Sequence, residues 1–256
     1  MCTLALYVRA FPQFPLIIAA NRDEFLSRPS SAPLLLDAVA GIFGGRDEVA
    51  GGTWLAVNRD GVVAALLNRR TEHPPDPRRR SRGQLCLAML RTGSAAAARD
   101  VLAAERADHY NPFNLLVADR RSAWVATNHA AMIDVTDLEP GLHLITNLDL
   151  NDPRCPRIAT SYQFFAALLA DGAPGPDSAP FRARLRAILA KHDTPLDPRS
   201  GGFGNSLCLH SDEYGTRSST LIFLDLSGRW TYFHANEPPC RRDHDPQPVM
   251  EMLSRP

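Results

Sequence analysis

The segment MCTLALYV, residues 1–8, places a cysteine directly after the initiator methionine and then continues as an apolar strand. Because Cys2 is small, we expect the methionine to be removed, so that the mature chain begins with a free α-amine and a thiol on one residue. A thiol attacks as its thiolate, and an α-amine with a pKa of about 8 can accept the thiol proton. The alternative is that Cys2 is a small apolar residue at the start of a buried strand.

Composition indicates one ordinary folded domain. The 256 residues are 45% apolar and 22% charged, so we predict a single domain over residues 1–256 whose last part, 236–256, is an extended tail. Basic and acidic residues both total 28, and this balance gives no reason to expect nucleic-acid binding. No apolar run approaches the roughly 20 residues of a membrane span, and a signal-peptide pattern is absent. We therefore predict a cytoplasmic protein without integral membrane association.

The cysteines and histidines show no metal-binding or disulfide pattern along the chain. The five cysteines are odd in number and widely separated, without a CxxC pair. The eight histidines include no HExxH or other paired spacing. These observations predict neither a disulfide framework nor a metal site.

Strand patterns dominate the first 70 residues. Apolar segments predict strands at Thr3 to Val8 and Leu16 to Asn21, joined by the turn at residues 12–15. The segment TWLAVNRDGVVAALLN predicts a hairpin that turns at residues 58–61, since aspartate and glycine favour turn conformations.

Helices are predicted in two blocks, with further strands after each. Ser81 and Ser94 are candidate N-caps of the first block, and the second covers Ile158 to Leu169 and Phe181 to Leu189. Strand-turn-strand patterns are found in FNLLVADRRSAWVAT, MIDVTDLEPGLHLIT and SSTLIFLDLSGRWTYFH. This order favours an α+β fold over a parallel βαβ sheet, and two stacked antiparallel sheets sandwiched by helices would satisfy it.

Polar residues follow the second strand in the sequence NRDE. Alternation along a strand sends Asn21 and Asp23 to one side and Arg22 and Glu24 to the other. Asp23 could hold the amine of Cys2 or orient the thiol, and Arg22 could stabilise the thiolate. A solvated junction between strand and loop is the alternative.

Two asparagines and an arginine also stand at strand ends. Asn68 ends VVAALLN and Asn147 ends LHLITN, although asparagine is disfavoured in strands. An asparagine amide can donate to an oxyanion, or it can simply bond its own turn. Arg217, in YGTRSST, could hold a carboxylate or form a salt bridge at the rim.

An arginine-rich segment follows the first hairpin. It contains Arg69, Arg70, Arg78 to Arg80 and Arg82. These residues could bind a phosphate or carboxylate, but a solvated loop is favoured, because arginine supplies all but one of the chain's lysine and arginine residues. No aromatic residues are interleaved as in single-strand nucleic-acid binders.

Taken in order, these motifs resemble the NRDE family, the homologues of transport and Golgi organisation protein 2. The segments that carry the resemblance are MC, NRDE, GGTW, DGVVAALLN, YNPFNLL, GLHLITN and YGTRSST, which together cover roughly residues 1–235. The family's biology has been tied to haem trafficking and to lipid or acyl-CoA handling.

The family in turn is similar to the N-terminal-nucleophile hydrolases, particularly the cysteine group of penicillin V acylase and bile salt hydrolase. This resemblance implies an αββα sandwich and a set of roles. It implies Cys2 as nucleophile, Asp23 as the aspartate that supports its amine, Asn68 as the oxyanion donor, Asn147 as the second asparagine of the site, and Arg217 as the arginine late in the chain.

Two positions depart from the acylase pattern. The acylases place an arginine three residues before the aspartate, where this chain has Ala20, and the arginine here is Arg22. Because side-chain direction flips at each strand residue, the sequence leaves open whether Arg22 reaches the thiol. Cys155 stands where relatives usually carry tryptophan.

We therefore predict a cysteine amidohydrolase or acylase that acts on an amide or thioester of a small molecule and needs no cofactor. Substrate-binding roles are predicted for Asn21, Arg22, Glu24 and Arg69. The alternative is a non-catalytic carrier of haem or of an acyl-lipid or acyl-CoA ligand in the same cleft. Arg69, Arg70 and Arg78 to Arg80 would then form a basic rim, and a histidine or Cys155 would be the haem ligand.

Overall fold

Two antiparallel sheets organise the chain in a computed structural model that describes residues 2–72, 74–129, 131–170, 175–176, 178–192 and 206–254. The strands are β1 (Thr3–Phe11), β2 (Phe14–Phe25), β3 (Ser30–Asp37), β4 (Ile42–Asp47), β5 (Leu55–Asn58), β6 (Val63–Asn68), β7 (Phe113–Ala118), β8 (Ala123–Asn128), β9 (Ile133–Asp137), β10 (Gly141–Ile145), β11 (Tyr214–Leu224), β12 (Trp230–Ala235) and β13 (Asp245–Gln247). The helices are α1 (Arg82–Leu90), α2 (Ala95–Ala103), α3 (Pro156–Ala170), α4 (Ala179–Leu189) and α5 (Val249–Leu253), with a 3₁₀ turn at Ala107–His109. Across the described ranges, every helix is too short or too polar to cross a membrane.

The chain divides into two compact units. The first contains residues 1–28, 140–223 and 231–247, and the second contains residues 29–139, 224–230 and 248–256. The sequence predicts a single domain over the whole chain, and the predicted C-terminal tail, residues 236–256, contains β13 and α5.

The first unit is built on a six-stranded sheet in the order β10-β1-β2-β11-β12-β13. The predicted strands at its centre are confirmed and are longer than expected, because β1 and β2 continue around the turn and past residue 21. Helices α3 and α4 pack on one face of this sheet. Apolar residues of the strands, such as Tyr7 and Ile17, form a core there with Phe165, Phe181 and Leu185.

The second unit is a seven-stranded meander in the order β3-β4-β5-β6-β7-β8-β9, and α1 and α2 pack on it. The hairpin of β5 and β6 is confirmed. Asn58 Oδ1 accepts from the backbone N–H of Val62 at 2.8 Å, and Gly61 takes a φ of 86°, which side-chain-bearing residues resist. Ser81 and Ser94 cap α1 and α2 as predicted, since each hydroxyl accepts a backbone N–H of the first turn.

One predicted supersecondary unit is corrected. The segment MIDVTDLEPGLHLIT does contain two strands, β9 and β10, but they do not pair with each other. β9 pairs with β8 in the second unit, whereas β10 pairs with β1 in the first. Alternation of apolar residues identifies a strand without identifying its partner, so the sequence could not distinguish a hairpin from a connection between sheets.

The predicted α+β class with two antiparallel sheets is confirmed. Each sheet carries its own pair of helices on one face, as an αββα fold requires.

Candidate functional site

Cys2 lies opposite Arg22 at the start of β1. In the β1–β2 pair, Thr3 is opposite Asn21. Continuing this register by one residue places Cys2 opposite Arg22, and residues directly opposite in an antiparallel pair share a face of the sheet. Arg22 therefore lies on the same side of the sheet as the thiol, and 6% of its surface is exposed.

Asn147 follows the strand on the other side of β1. In the β1–β10 pair, Leu4 is opposite Ile145, the last residue of β10, and Asn147 lies in the bend that follows. Asn147 is buried, with 7% of its surface exposed.

Arg217 points to this same face. The hydroxyl of Thr216 on β11 donates to Asp23 Oδ1 at 2.7 Å, so Thr216 shares the opposite face with Asp23. Its neighbour Arg217 therefore projects toward the face of Arg22. We call Asn147, Cys2, Arg22 and Arg217 the Cys2 row. Arg22 lies on β2 and Arg217 on β11, whereas Cys2 directly precedes β1 and Asn147 follows β10.

The surroundings of the thiol act on its pKa in opposite directions. Cys2 is half-buried, and its Sγ lies 3.8 Å from the backbone carbonyl oxygen of Asp23. Burial raises the pKa of the Cys2 thiol above its ordinary value, the charge of Asp23 raises it further, and the positive charge of Arg22 lowers it. A nearby base is therefore required to produce the thiolate at neutral pH.

Behind the Cys2 row, a buried network fixes Asp23. Arg157 on α3 donates to Asp23 Oδ2 at 3.0 Å and to Thr3 Oγ1 at 2.9 Å. Thr216 holds the other carboxylate oxygen, and Tyr214 donates its hydroxyl to the Asp23 carbonyl at 3.0 Å. The sequence analysis missed Arg157, since a single arginine in a helix gives no signal of a partner on a distant strand.

Asn21 does not join the Cys2 row, which corrects its predicted substrate-binding role. It projects to the helix side of the sheet and is 1% exposed. Its Nδ2 donates to the carbonyls of Leu189 and Leu207 at 2.9 and 2.8 Å. The structure therefore gives Asn21 a structural role at the C-terminal end of α4.

Glu24 and Arg217, two residues with predicted roles at the site, make contacts within this part of the fold. Glu24 forms ion pairs with Arg22 at 3.8 Å and Arg28 at 3.9 Å. Arg217 Nη1 donates to the carbonyl of Leu26. These contacts do not test substrate binding, so the roles of Glu24 and Arg217 in binding a substrate stay predictions.

Asn68 and Arg69 belong to the second unit. Asn68 is the exposed last residue of β6, and Arg69 Nη1 donates to Asn114 Oδ1 at 3.1 Å. Their oxyanion-donor and substrate-binding roles stay predictions.

Three arginines of the predicted basic rim, and Cys155 among the candidate haem ligands, are engaged in other contacts. Arg78 pairs with Asp76 at 2.9 Å, Arg79 donates to the Tyr110 carbonyl at 2.7 Å, and Arg80 pairs with Glu105 at 2.7 Å. Cys155 is 4% exposed, and its Sγ lies 3.6 Å from the hydroxyl of Thr146 in the core beneath α3. These contacts favour a structural role for the arginine segment and for Cys155.

Comparison with known proteins gives consistent matches. A family model described as Transport and Golgi organisation 2 matches residues 1–236. The bovine protein named Transport and Golgi organization protein 2 homolog is 28% identical over 248 residues, covering 86% of this chain and 85% of the relative. Its human counterpart is 28% identical over 245 residues with the same coverage.

Among solved structures, penicillin V acylase from Agrobacterium tumefaciens is similar in fold. The likeness has a TM-score of 0.51 at 14% identity and covers 92% of this chain and 83% of the acylase. The predicted fold of N-terminal-nucleophile-hydrolase type is thereby confirmed.

Proposed function

The chain belongs to the Transport and Golgi organisation 2 family, and on that premise we propose that it is an N-terminal cysteine hydrolase acting on an amide or thioester of a small molecule. The observation that supports this proposal most directly is the half-buried thiol of Cys2, which lies beside the buried Arg22 at one end of the sheet, where Asn147 follows the neighbouring strand β10. The acyl-transfer chemistry in the name of penicillin V acylase, whose fold is similar, agrees with such a site.

The proposed reaction begins with removal of Met1, which frees the α-amine of Cys2. That amine takes the thiol proton, and the thiolate attacks the carbonyl carbon to form a C–S bond. The C–N bond of an amide, or the C–S bond of a thioester, then breaks, and the leaving group takes up the proton. Water next attacks the acyl-enzyme, so that the acid is released and the thiol is restored.

Each neighbour of the thiol has a defined part in this proposal. Arg22 carries a positive charge that favours the thiolate over the thiol. The buried amide of Asn147 can donate to the substrate carbonyl, and Arg217 can hold an anionic end of the substrate. Asp23 acts as a positioning residue, because Arg157 and Thr216 hold its carboxylate in place. The oxyanion role of Asn68 is implied by family resemblance and is tested separately by Asn68→Ala.

A screen of acyl-amides and acyl-thioesters against the wild-type chain and Cys2→Ala tests the proposal. We expect turnover of at least one acyl class by the wild type and none by the variant, with both chains showing the same circular dichroism. Intact-mass analysis is expected to show a chain that lacks Met1. Equal background rates for the two proteins across the screen would contradict a hydrolase.

The same pair of proteins tests the carrier alternative. Haem titration that gives a Soret band of equal strength in wild type and Cys2→Ala, without turnover by either, would favour a carrier. Equal binding of a fluorescent acyl-CoA analogue by the two proteins, again without turnover, would favour a carrier of acyl-CoA. Under the hydrolase proposal, an acyl adduct accumulates on Cys2 and is detected by mass.

A further inference from the structure

Two cysteines and two histidines lie together in the first unit, outside the Cys2 row. They are His192, Cys208, His210 and Cys240, and one potential ligand atom from each lies within 4.8 Å of all the others. His192 follows α4, Cys208 and His210 precede β11, and Cys240 follows β12. Three separate segments therefore meet at this cluster.

The distances within the cluster fit a tetrahedral metal site. The two sulfur atoms of Cys208 and Cys240 are 3.6 Å apart, and His210 Nε2 lies 3.2 Å from Cys240 Sγ and 3.7 Å from Cys208 Sγ. Zinc–sulfur bonds of about 2.3 Å and zinc–nitrogen bonds of about 2.0–2.1 Å place the ligands of a tetrahedron roughly 3.4–3.8 Å apart. The three separations among Cys208, His210 and Cys240 thus nearly match those of a Cys₂His₂ site, and the ligand atom of His192 lies within 4.8 Å of the other three.

A disulfide does not account for this arrangement. Bonded sulfur atoms are about 2.05 Å apart, whereas Cys208 and Cys240 are separated by 3.6 Å and are both free thiols. A disulfide would also leave the presence of two histidines unexplained.

The ring of His192 is oriented as metal-binding histidines usually are. Its Nδ1 lies 2.9 Å from the backbone carbonyl oxygen of Cys208. Because a carbonyl only accepts hydrogen bonds, Nδ1 carries the proton, and the lone pair of Nε2 is left for a ligand. Donation of the second ring N–H to a carbonyl or carboxylate is the typical outer contact of a histidine that binds zinc.

From these observations we propose that His192, Cys208, His210 and Cys240 bind one zinc ion. Four protein ligands leave no open position, so the site is structural. The sequence gives little sign of it, because successive ligands are 16, 2 and 30 residues apart and form no CxxC pair.

The site would also stabilise the region behind Cys2. The N–H of Cys208 donates to the Lys191 carbonyl at 3.0 Å, which joins the segment before β11 to the end of α4. The N–H of Leu209 donates to Thr216 Oγ1 at 2.9 Å, and Thr216 in turn donates to Asp23. A bound ion would therefore hold in place the segment before β11, which contacts Thr216 and through it Asp23.

Metal titration of the reduced, metal-free full-length chain tests this inference. We expect one zinc ion per chain, and we expect Co²⁺ in its place to give thiolate-to-metal charge-transfer bands together with the visible bands of tetrahedral Co²⁺. Cys240→Ser and His210→Gln change exposed ligands, so their folds should persist while zinc affinity falls by about 100-fold or more. Cys2→Ala, which lacks a thiol outside the cluster, is the matched control and should retain the ion and its spectrum.

Two results would overturn the site. One is a reduced wild-type chain that binds zinc no more tightly than Cys240→Ser, and the other is a Co²⁺ spectrum without thiolate bands. Loss of zinc binding in Cys240→Ser with retention in Cys2→Ala supports the site whether or not the chain hydrolyses any substrate. The metal inference and the proposed hydrolase function can therefore fail independently.

Discussion

Arg157 donates to the carboxylate of Asp23 across 3.0 Å, and both side chains are almost fully excluded from water, with exposed fractions of 3% and 0%. Arg157 also donates to Thr3, and Thr216 donates to the other carboxylate oxygen of Asp23. Desolvation of two buried charges is costly, and such additional hydrogen bonds offset part of that cost. The pair connects α3 to the strands that carry the Cys2 row.

Removal of Arg157 is expected to destabilise the fold strongly. Arg157→Gln leaves the Asp23 carboxylate buried without its cation, so the free energy of unfolding should fall by about 3–5 kcal/mol in urea denaturation followed by circular dichroism. Arg154→Gln is the matched control, because Arg154 pairs with Asp152 from a side chain that is 75% exposed, and its loss should cost no more than about 1 kcal/mol. Equal decreases in the free energy of unfolding of the two variants would show that the buried ion pair stabilises the fold no more than the exposed one.

The position of Arg22 beside Cys2 leads to a prediction about thiol reactivity. The charge of Arg22 lowers the pKa of the thiol, so Arg22→Gln should raise that pKa and leave less thiolate at pH 7. Alkylation of Cys2 by iodoacetamide should then be slower, and its pH profile should move to higher pH, as followed by peptide mass analysis. Arg28→Gln removes the other partner of Glu24 and should leave the profile in place. Coincident profiles for wild type and Arg22→Gln would exclude a direct effect of this arginine.

Local patterns predicted most of the individual elements. The β1–β2 and β5–β6 hairpins follow from apolar segments separated by turn residues, and Ser81 and Ser94 mark the starts of α1 and α2. The partner of β10 could not be predicted, because its pairing with β1 joins segments more than a hundred residues apart. Such a long-range pairing depends on how all the strands of the fold pair with one another, and not on the local sequence.

For the candidate site, the sequence predicts residue types but not their geometry. Family resemblance identified Cys2, Asn147 and Arg217, whereas the direction of Arg22 depended on a strand register that the sequence does not encode locally. Arg157 was missed because its partner lies on another element, 134 residues away. The metal-binding cluster was missed for the same reason, since only the fold brings its three segments together.

Substitution of Asn21 tests whether this residue stabilises the fold or binds a substrate. Asn21→Ala removes the donor to two buried carbonyls, those of Leu189 and Leu207, and should lower the free energy of unfolding by about 2–4 kcal/mol. Asn68→Ala, at an exposed strand end, is the matched control and should change stability by no more than about 0.5 kcal/mol. A substrate-binding role for Asn21 would instead appear as a higher KM with stability unchanged.

Stability at mildly acidic pH is expected to depend on His234. This residue is 4% exposed, and its two ring nitrogens lie 2.9 Å from Thr220 Oγ1 and from Asn236 Oδ1. Burial lowers the pKa of His234 to about 4, although the bond to Asn236 opposes part of this effect. Between about pH 6.5 and pH 4 the unfolded chain therefore binds more protons than the folded chain, and stability falls as the pH falls.

The size of this effect follows from the two pKa values. With an unfolded pKa near 6.5, His234 alone should reduce the free energy of unfolding by about 2 kcal/mol between pH 7 and pH 5. His234→Gln should remove that part of the decrease in urea denaturation at the two pH values, and His244, whose pKa burial also lowers to about 4, should account for part of what remains. His129→Gln changes an exposed side chain and should leave the decrease unaltered. If the decrease is as large in His234→Gln as in the wild type, His234 is not the titrating group, because no other histidine changes in that variant.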